Sequence, residues 1–379
     1  MEAGAKYILR NNSSEDDRFD ADDTGKYEYN KDQSSRYKHL NDIIAAYLGY
    51  GLKVKRLSGR LGLRYEHTIQ DVKYLVGRGE DFTKNFDDVV PSASIGYKLT
   101  DMSNLRLGYN MRIYRPGIWS LNPYLNDTDP SYISQGNPEL DSEKSHAFNL
   151  SYSNFTQKFN INISARYSFT NSIENVTRLM PDTEIEGLKN PTGKDVLYST
   201  YANIGKTRYA SVNGYVNWNA TPRTRIYMNM SGNYSYLEGS EGMRNDGWSL
   251  FAYGGAQQTL PHDWRISLNV FGQTPWVMLQ GKGSSYFDYG LSVNKSFLDK
   301  RLTLSAFASN FFKKYMDQSS TTEGSGFIRE SNYKYSRQRF GISVSYRIGE
   351  LKASVKKAAR TISNDDVKSG GSGSGGGGE

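Results

Sequence analysis

Eight arginines, Arg64, Arg106, Arg112, Arg166, Arg225, Arg265, Arg339 and Arg347, recur about once per segment in stretches where polar and apolar residues alternate. A guanidinium is permanently charged and planar, with five donors, so a wall of them could grip carboxylates or draw in an anionic cargo. The blander role for the same residues is to keep a water-filled surface polar. Trp119, Tyr124 and Tyr132 fall in a stretch, 115–144, rich in Pro, Asn and Asp. Their rings could stack on sugars or aromatic ligands, and binding residues often sit on such loops. Asp20, Asp22 and Thr24 open like a calcium loop, but Lys31 stands where the bidentate glutamate should be, which leaves a solvated acidic loop. The four histidines, His39, His67, His146 and His262, have no metal-ligand spacing. Ser145 and His146 are adjacent and would point to opposite faces of a strand, so they cannot act as nucleophile and base together. The expectation is a chain that is not an enzyme, with no catalytic residue, metal or cofactor.

The elements that must carry these residues are strands. In Phe159-Asn160-Ile161-Asn162-Ile163-Ser164-Ala165-Arg166-Tyr167-Ser168-Phe169-Thr170, apolar side chains occupy one face and polar ones the other. The same period appears at Leu105, Leu107, Tyr109, Met111 and Ile113, at Ile226, Met228 and Met230, and at Phe340, Ile342, Val344, Tyr346 and Ile348. Connections alternate between tight ones, near 56–59, 100–103, 156–158, 220–223, 261–263 and 298–301, and long polar ones. The long ones are read at 12–38, 71–87, 115–144, 171–195, 237–246, 280–285 and 313–332. Short turns at one end and long loops at the other, over about 14 antiparallel strands, describe a transmembrane up-and-down β-barrel. The arginines then face the lumen and the apolar alternates face lipid. Tyr97, Tyr109, Tyr167, Trp218, Tyr234, Trp248, Trp264 and Tyr346 fall on the apolar face, where amphipathic rings would form interfacial girdles.

Composition agrees with this reading. Mean hydropathy is −0.68, and no run of about 18 apolar residues exists for a spanning helix, but a barrel needs neither high hydropathy nor such a run. The net charge of +7 comes from scattered basic residues and not from a patch, which argues against nucleic acid. There is no cysteine, so disulfides and thiolate chemistry are excluded. No secretory signal precedes the strand-like 3–11 segment, so the chain is expected to be the C-terminal part of a longer precursor. Residues 1–349 are read as the barrel. Residues 350–379, basic and then Gly/Ser-rich, are read as a flexible periplasmic tail.

Asn110-Met111-Arg112-Ile113-Tyr114-Arg115-Pro116, then Leu121-Asn122-Pro123 and Gly136-Asn137-Pro138-Glu139-Leu140, resemble a stretch of TonB-dependent receptor barrels. The resemblance is to the outer-membrane β-barrel family abundant in Bacteroidetes. Ala3-Gly4-Ala5-Lys6-Tyr7, Gly62-Leu63-Arg64-Tyr65-Glu66 and Ser343-Val344-Ser345-Tyr346-Arg347-Ile348-Gly349 extend it, with Lys356-Lys357 and 362–366 behind. It implies a plugged barrel of about 22 strands in the outer membrane of a Gram-negative cell. It also implies import of a bulky nutrient coupled through the plug to TonB, and a surface-exposed lipoprotein partner. On that pattern the plug and about eight N-terminal strands lie outside this chain. A passive channel of about 14 strands and a non-conducting surface-binding barrel are the alternatives.

Overall fold

The structure is a computed structural model that describes residues 1–77, 79–188, 191–239 and 242–349, together with the backbone of 367–368. From the amino terminus the strands are β1 (Glu2–Asp16), a small hairpin of β2 (Phe19–Ala21) and β3 (Tyr27–Tyr29), then β4 (Ser35–Val54), β5 (Leu57–Val76), β6 (Phe82–Lys98) and β7 (Ser103–Pro116). One helical turn, α1 (Ile118–Leu121), and the hairpin β8 (Asn126–Asp129) and β9 (Tyr132–Ser134) lead to β10 (Glu143–Phe155). Next come β11 (Phe159–Pro181), β12 (Asp195–Thr221), β13 (Thr224–Glu238), β14 (Arg244–Leu260) and β15 (Trp264–Gln273). The two-residue β16 (Val277–Met278) and β17 (Gly281–Lys282) precede β18 (Tyr286–Phe297), β19 (Leu302–Ser309), β20 (Tyr315–Gly324), β21 (Phe327–Ser336) and β22 (Arg339–Tyr346).

Fourteen of these, β1, β4 to β7, β10 to β15, β18, β19 and β22, form one antiparallel meander in which each strand pairs with the next in chain order. Among the described residues β1 pairs along one edge only, with β4, and β22 along one edge only, with β19. The expected all-β, antiparallel up-and-down architecture of about 14 strands is therefore present as an open wall, not closed into a barrel among the described residues. At the elaborate end β16, β17, β20 and β21 make a separate four-stranded sheet. At the tight end the chain turns through left-handed backbone at Lys55, at His262 and Asp263, and at Leu298, Asp299 and Lys300.

Cross-strand register shows how the apolar face is built. Tyr109, Phe148, Tyr167, Ala210, Tyr234 and Trp248 are successive partners in one row. Near the tight end a second row runs Phe159, Trp218, Ile226, Ala256, Leu268, Leu291, Ala308 and Phe340. On β12 the two rows are the eight residues from Ala210 to Trp218 apart, about 26 Å along the strand, or roughly 20 Å of membrane depth after strand tilt. That is close to the height of a lipid-facing band. Leu107, Leu150, Val212, Met230 and Leu250 lie between the rows and are all exposed, as a lipid-facing surface requires.

Several segments expected as long loops are strand. β5 and β6 continue to Val76 and from Phe82, so their connection shrinks from 71–87 to 77–81. β11 runs on to Pro181 and β12 starts at Asp195, where a loop over 171–195 was expected. These extensions rise beyond the apolar band. Ladder hydrogen bonds hold them, but with no lipid to face they lose the hydropathy signal of a strand. The expected tail, 350–379, lies outside the described residues apart from the backbone of 367–368, which pairs in parallel with Arg115 and Pro116.

Candidate functional site

A cluster of buried charges lies on the polar face where β6 and β7 part. Their ladder stops at Ser92 and Asn110, while β7 continues paired with β10 up to Glu143. Pro91, which cannot donate, sits where the ladder ends, a position proline tolerates. The fully buried Arg115 spans the gap. Its Nη1 lies 2.5 Å from Glu66 Oε1 on β5 and its Nη2 lies 3.3 Å from Asp88 Oδ2 on β6. Glu66 and Asp88 are register partners, so their side chains share a face. Arg64 Nη2 also pairs with Glu66, and Asp88 accepts from Ser142 Oγ at 3.2 Å and lies 3.4 Å from Lys144 Nζ. Both buried carboxylates are thus held by more than one cation or donor, the condition under which burying such charges is tolerable.

Next to this cluster, on the outward face above the apolar band, is a polar cleft of about 590 Å3, bordered by Asn85, Asp87, Asp141, Asn171, Asn203 and Lys206. Asp141 and Asn203 bond reciprocally across it, the Asp141 N–H to Asn203 Oδ1 at 2.8 Å and Asn203 Nδ2 to the Asp141 carbonyl at 3.0 Å. Carboxylates, amides and ammonium groups on one wall suit a ligand dense in hydroxyls or mixed charge.

The loop that begins at Arg115 is ordered by its two Asn-Pro motifs. Asn122 Oδ1 accepts the Tyr124 N–H and Asn137 Oδ1 accepts the Glu139 N–H, both at 2.9 Å, so each closes a local turn over its proline. The motifs also stack. Gly136 N donates to the Asn122 carbonyl at 2.8 Å, and a Cβ on Gly136 would lie 2.4 Å from that oxygen, so only glycine fits there. Beneath them Leu121, Leu140 and Ile173 form a small buried core.

Of the residues singled out in the sequence, Arg64 is in the charged cluster. Arg106, Arg112, Arg166, Arg225, Arg265 and Arg339 share its face but are spread over β7, β11, β13, β15 and β22, and the structure does not bring them together. Arg225 Nε donates to Asn217 Oδ1 at 2.5 Å. Tyr124 OH donates to the Gln33 carbonyl at 2.8 Å, Tyr132 lies under the Arg329 guanidinium at 4.0 Å, and Trp119 projects outward at 68% exposure. Glu66, Asp88, Ser142 and Lys144 were not identified from the sequence. The available signal was a pair of inward carboxylates on neighbouring strands facing an Arg-Pro strand end. In the acidic loop Asp22 Oδ1 is occupied by the Thr24 hydroxyl and by the N–H groups of Thr24 and Lys26.

Asp182 organises another loop at the elaborate end. It accepts from the Thr192 N–H at 2.6 Å, the Thr192 hydroxyl at 2.7 Å and the Gly193 N–H at 2.7 Å. These bonds, the Thr192 amide foremost, hold its carboxyl below the ordinary carboxylate value. A depressed carboxyl contributes its full stabilisation above the unfolded value, near pH 4, and loses it as pH falls through the lower folded value. Proteolytic nicking around 183–195 should therefore rise below about pH 4 in the wild type. In Asp182→Asn it should already be raised at neutral pH.

Comparison with known proteins places this geometry. The model of the outer membrane protein beta-barrel family matches residues 1–346. No curated protein matches the chain. Among solved structures, the unliganded ferric citrate transporter FecA aligns with a TM-score of 0.59 at 13% identity, over 91% of this chain and 51% of that one. The ferric yersiniabactin uptake receptor FyuA from Yersinia pestis aligns at 0.61 and 16% identity, over 91% and 50%. The copper transporter OprC aligns at 0.61 and 15% identity, over 91% and 54%. At these identities the likeness is one of fold, and the chain spans about half the length of each. With a family match over nearly its whole length and an open wall that aligns with about half of each of these chains, the chain belongs to the outer membrane protein β-barrel family.

Proposed function

We propose that the chain is the wall-forming part of a TonB-dependent outer-membrane receptor that imports a bulky nutrient such as a siderophore or a glycan. The observation that carries this is the fourteen-strand wall with one-sided edges at β1 and β22 among the described residues, which aligns with about half the length of solved transporter chains. Unpaired ladder groups in lipid cost several kcal/mol each, so those edges must find partners. Further strands fit that need, and with a plug coupled to TonB they fit the length of the structural neighbours. In this reading the long loops face the outside and the tail faces the periplasm. Arg64, Arg106, Arg112, Arg166, Arg225, Arg265 and Arg339 line the lumen against the plug or an anionic cargo. Trp119, Tyr124 and Tyr132 sit where cargo or a surface-exposed lipoprotein would arrive.

The even strand count favours a second reading, a passive channel in which β22 closes on β1. Planar-bilayer recording with the full chain separates the two. The receptor reading expects no stable open-channel steps from the chain, and uptake of radiolabelled ferric siderophore or labelled glycan that is lost on deleting TonB. Stable conductance together with TonB-independent flux would replace it with the passive channel.

Orientation is testable separately because the chain has no cysteine. Ser325, exposed between β20 and β21, should react as Ser325→Cys with a membrane-impermeant maleimide on intact cells. Labelling only after permeabilisation would invert the assignment of the two ends.

A further inference from the structure

The lipid-facing side of the wall is not uniformly bulky. Around β12 it sinks into a slot of about 630 Å3. Its floor is Ala210, Val212 and Gly214 on β12, with Ala165 on β11 and Gly232 on β13 to either side of Val212. One bank is Phe148, Leu150 and Tyr167, and the other is Met230, Trp248 and Leu250. From Ala210 to Gly214 the floor runs about 13 Å along the strand, enough for a substantial stretch of one extended acyl chain.

What lies above the slot is unlike the rest of the band. Continuing on the same face of β12 toward the elaborate end, Ala210 is followed by Arg208 and then Lys206, both exposed. Register places Arg208 between Phe169 and Tyr236, and Lys206 between Asn171 and Glu238. Arg244, over the Tyr236 ring at 4.7 Å, closes the group. Two of these cations have carboxylates, Lys206 with Glu238 at 4.0 Å and Arg244 with Asp246 at 3.7 Å. Among the described residues Arg208 has no carboxylate in ion-pair range, and its guanidinium lies over the Tyr236 ring, 5.7 Å from its centroid. A trough sized for a hydrocarbon chain thus ends, one strand period on, in an uncompensated guanidinium at the height where headgroups begin.

We propose that this slot is a binding site for a membrane lipid with an anionic phosphate headgroup, its acyl chain along Ala210, Val212 and Gly214 and its phosphate on Arg208, supported by Lys206. The occupant is lipid because the slot is continuous with the lipid-facing band, and anionic because the cationic group above it carries net positive charge. A guanidinium suits a phosphate through paired N–H donors. Placement in the outer leaflet rests on the proposed orientation of the long loops.

The test is native mass spectrometry of the full chain extracted in mild detergent, titrated with phosphatidylglycerol or phosphatidylcholine. Gly214→Phe fills the slot, and the structure allows it, since a Cβ there meets nothing within 4 Å. Arg208→Ser removes the uncompensated charge from an exposed position. The wild type should retain one phosphatidylglycerol in preference to phosphatidylcholine. Arg208→Ser should bind it about fivefold more weakly, the effect of one basic residue at an anionic headgroup. Gly214→Phe should lose both lipids. Mobility on unboiled gels confirms that each variant is folded, and either variant alone decides the matter. Equal retention of phosphatidylglycerol by the wild type and a folded variant, or equal retention of the two lipids by the wild type, overturns the site. If lipid is retained as expected but Ser325→Cys is shielded from outside, the site stands and the outer-leaflet placement falls.

Discussion

Arg115→Ala should destabilise the folded chain by about 3–5 kcal/mol, because it removes the one cation shared by two buried carboxylates. Glu66 and Asp88 are 2% and 1% exposed, so neither can recover its lost partner from water. Arg64 and Lys144 remain as single partners, and they do not bridge β5 to β6 and β7 as the guanidinium does. The loss should appear as a lower urea midpoint in micelles and earlier loss of the heat-shifted gel band. Arg115→Lys keeps the charge but not the fork that reaches two carboxylates on two strands, so it should recover only part of the stability. Protease cleavage in 117–142 should rise in parallel, since Arg115 is where that loop is tied to the wall. If Arg115→Ala were as stable as the wild type, the parted strands would have to be held by the Asn-Pro loop alone.

Ile163→Arg should cost about 2–4 kcal/mol of folding free energy in a bilayer, whereas Asn162→Arg should cost far less. Ile163 pairs with Tyr152 and Gly214 on the lipid-facing side, and Asn162 pairs with Ser153 and Tyr215 on the other. The two positions are adjacent, so they share depth, strand and secondary structure and differ only in the face they present. Urea titrations of folding into lipid vesicles would measure both. Equal costs would mean that the apolar face does not meet lipid.

The faces, the order of the strands and the tight end were legible in the sequence because most strands in the band alternate apolar and polar residues with a period of two. Leu105 to Ile113 and Phe159 to Phe169 carry that signal without help from the rest of the fold. The signal fails above the band. Asn171 to Pro181 and the upper part of β5 are strands made by their ladders, and with water on their outer side selection for alternation is absent.

The candidate site was legible only in outline. Arg115-Pro116, Leu121-Asn122-Pro123 and Gly136-Asn137-Pro138 stood out as motifs, but their sequence says nothing of Asn122 stacking on Gly136. Nor does it place Glu66, nearly fifty residues upstream, against the Arg115 guanidinium. Local chemistry, side-chain period and turn type are properties of neighbouring residues, and the sequence by itself determined the two-faced strands, their count and the turns between them. Which inward charges meet, where β6 and β7 part, how a lipid-side slot lines up beneath Arg208, and that β1 and β22 keep one edge open were decided by the tertiary structure alone. Those depend on register and curvature, which arise only when distant strands pair.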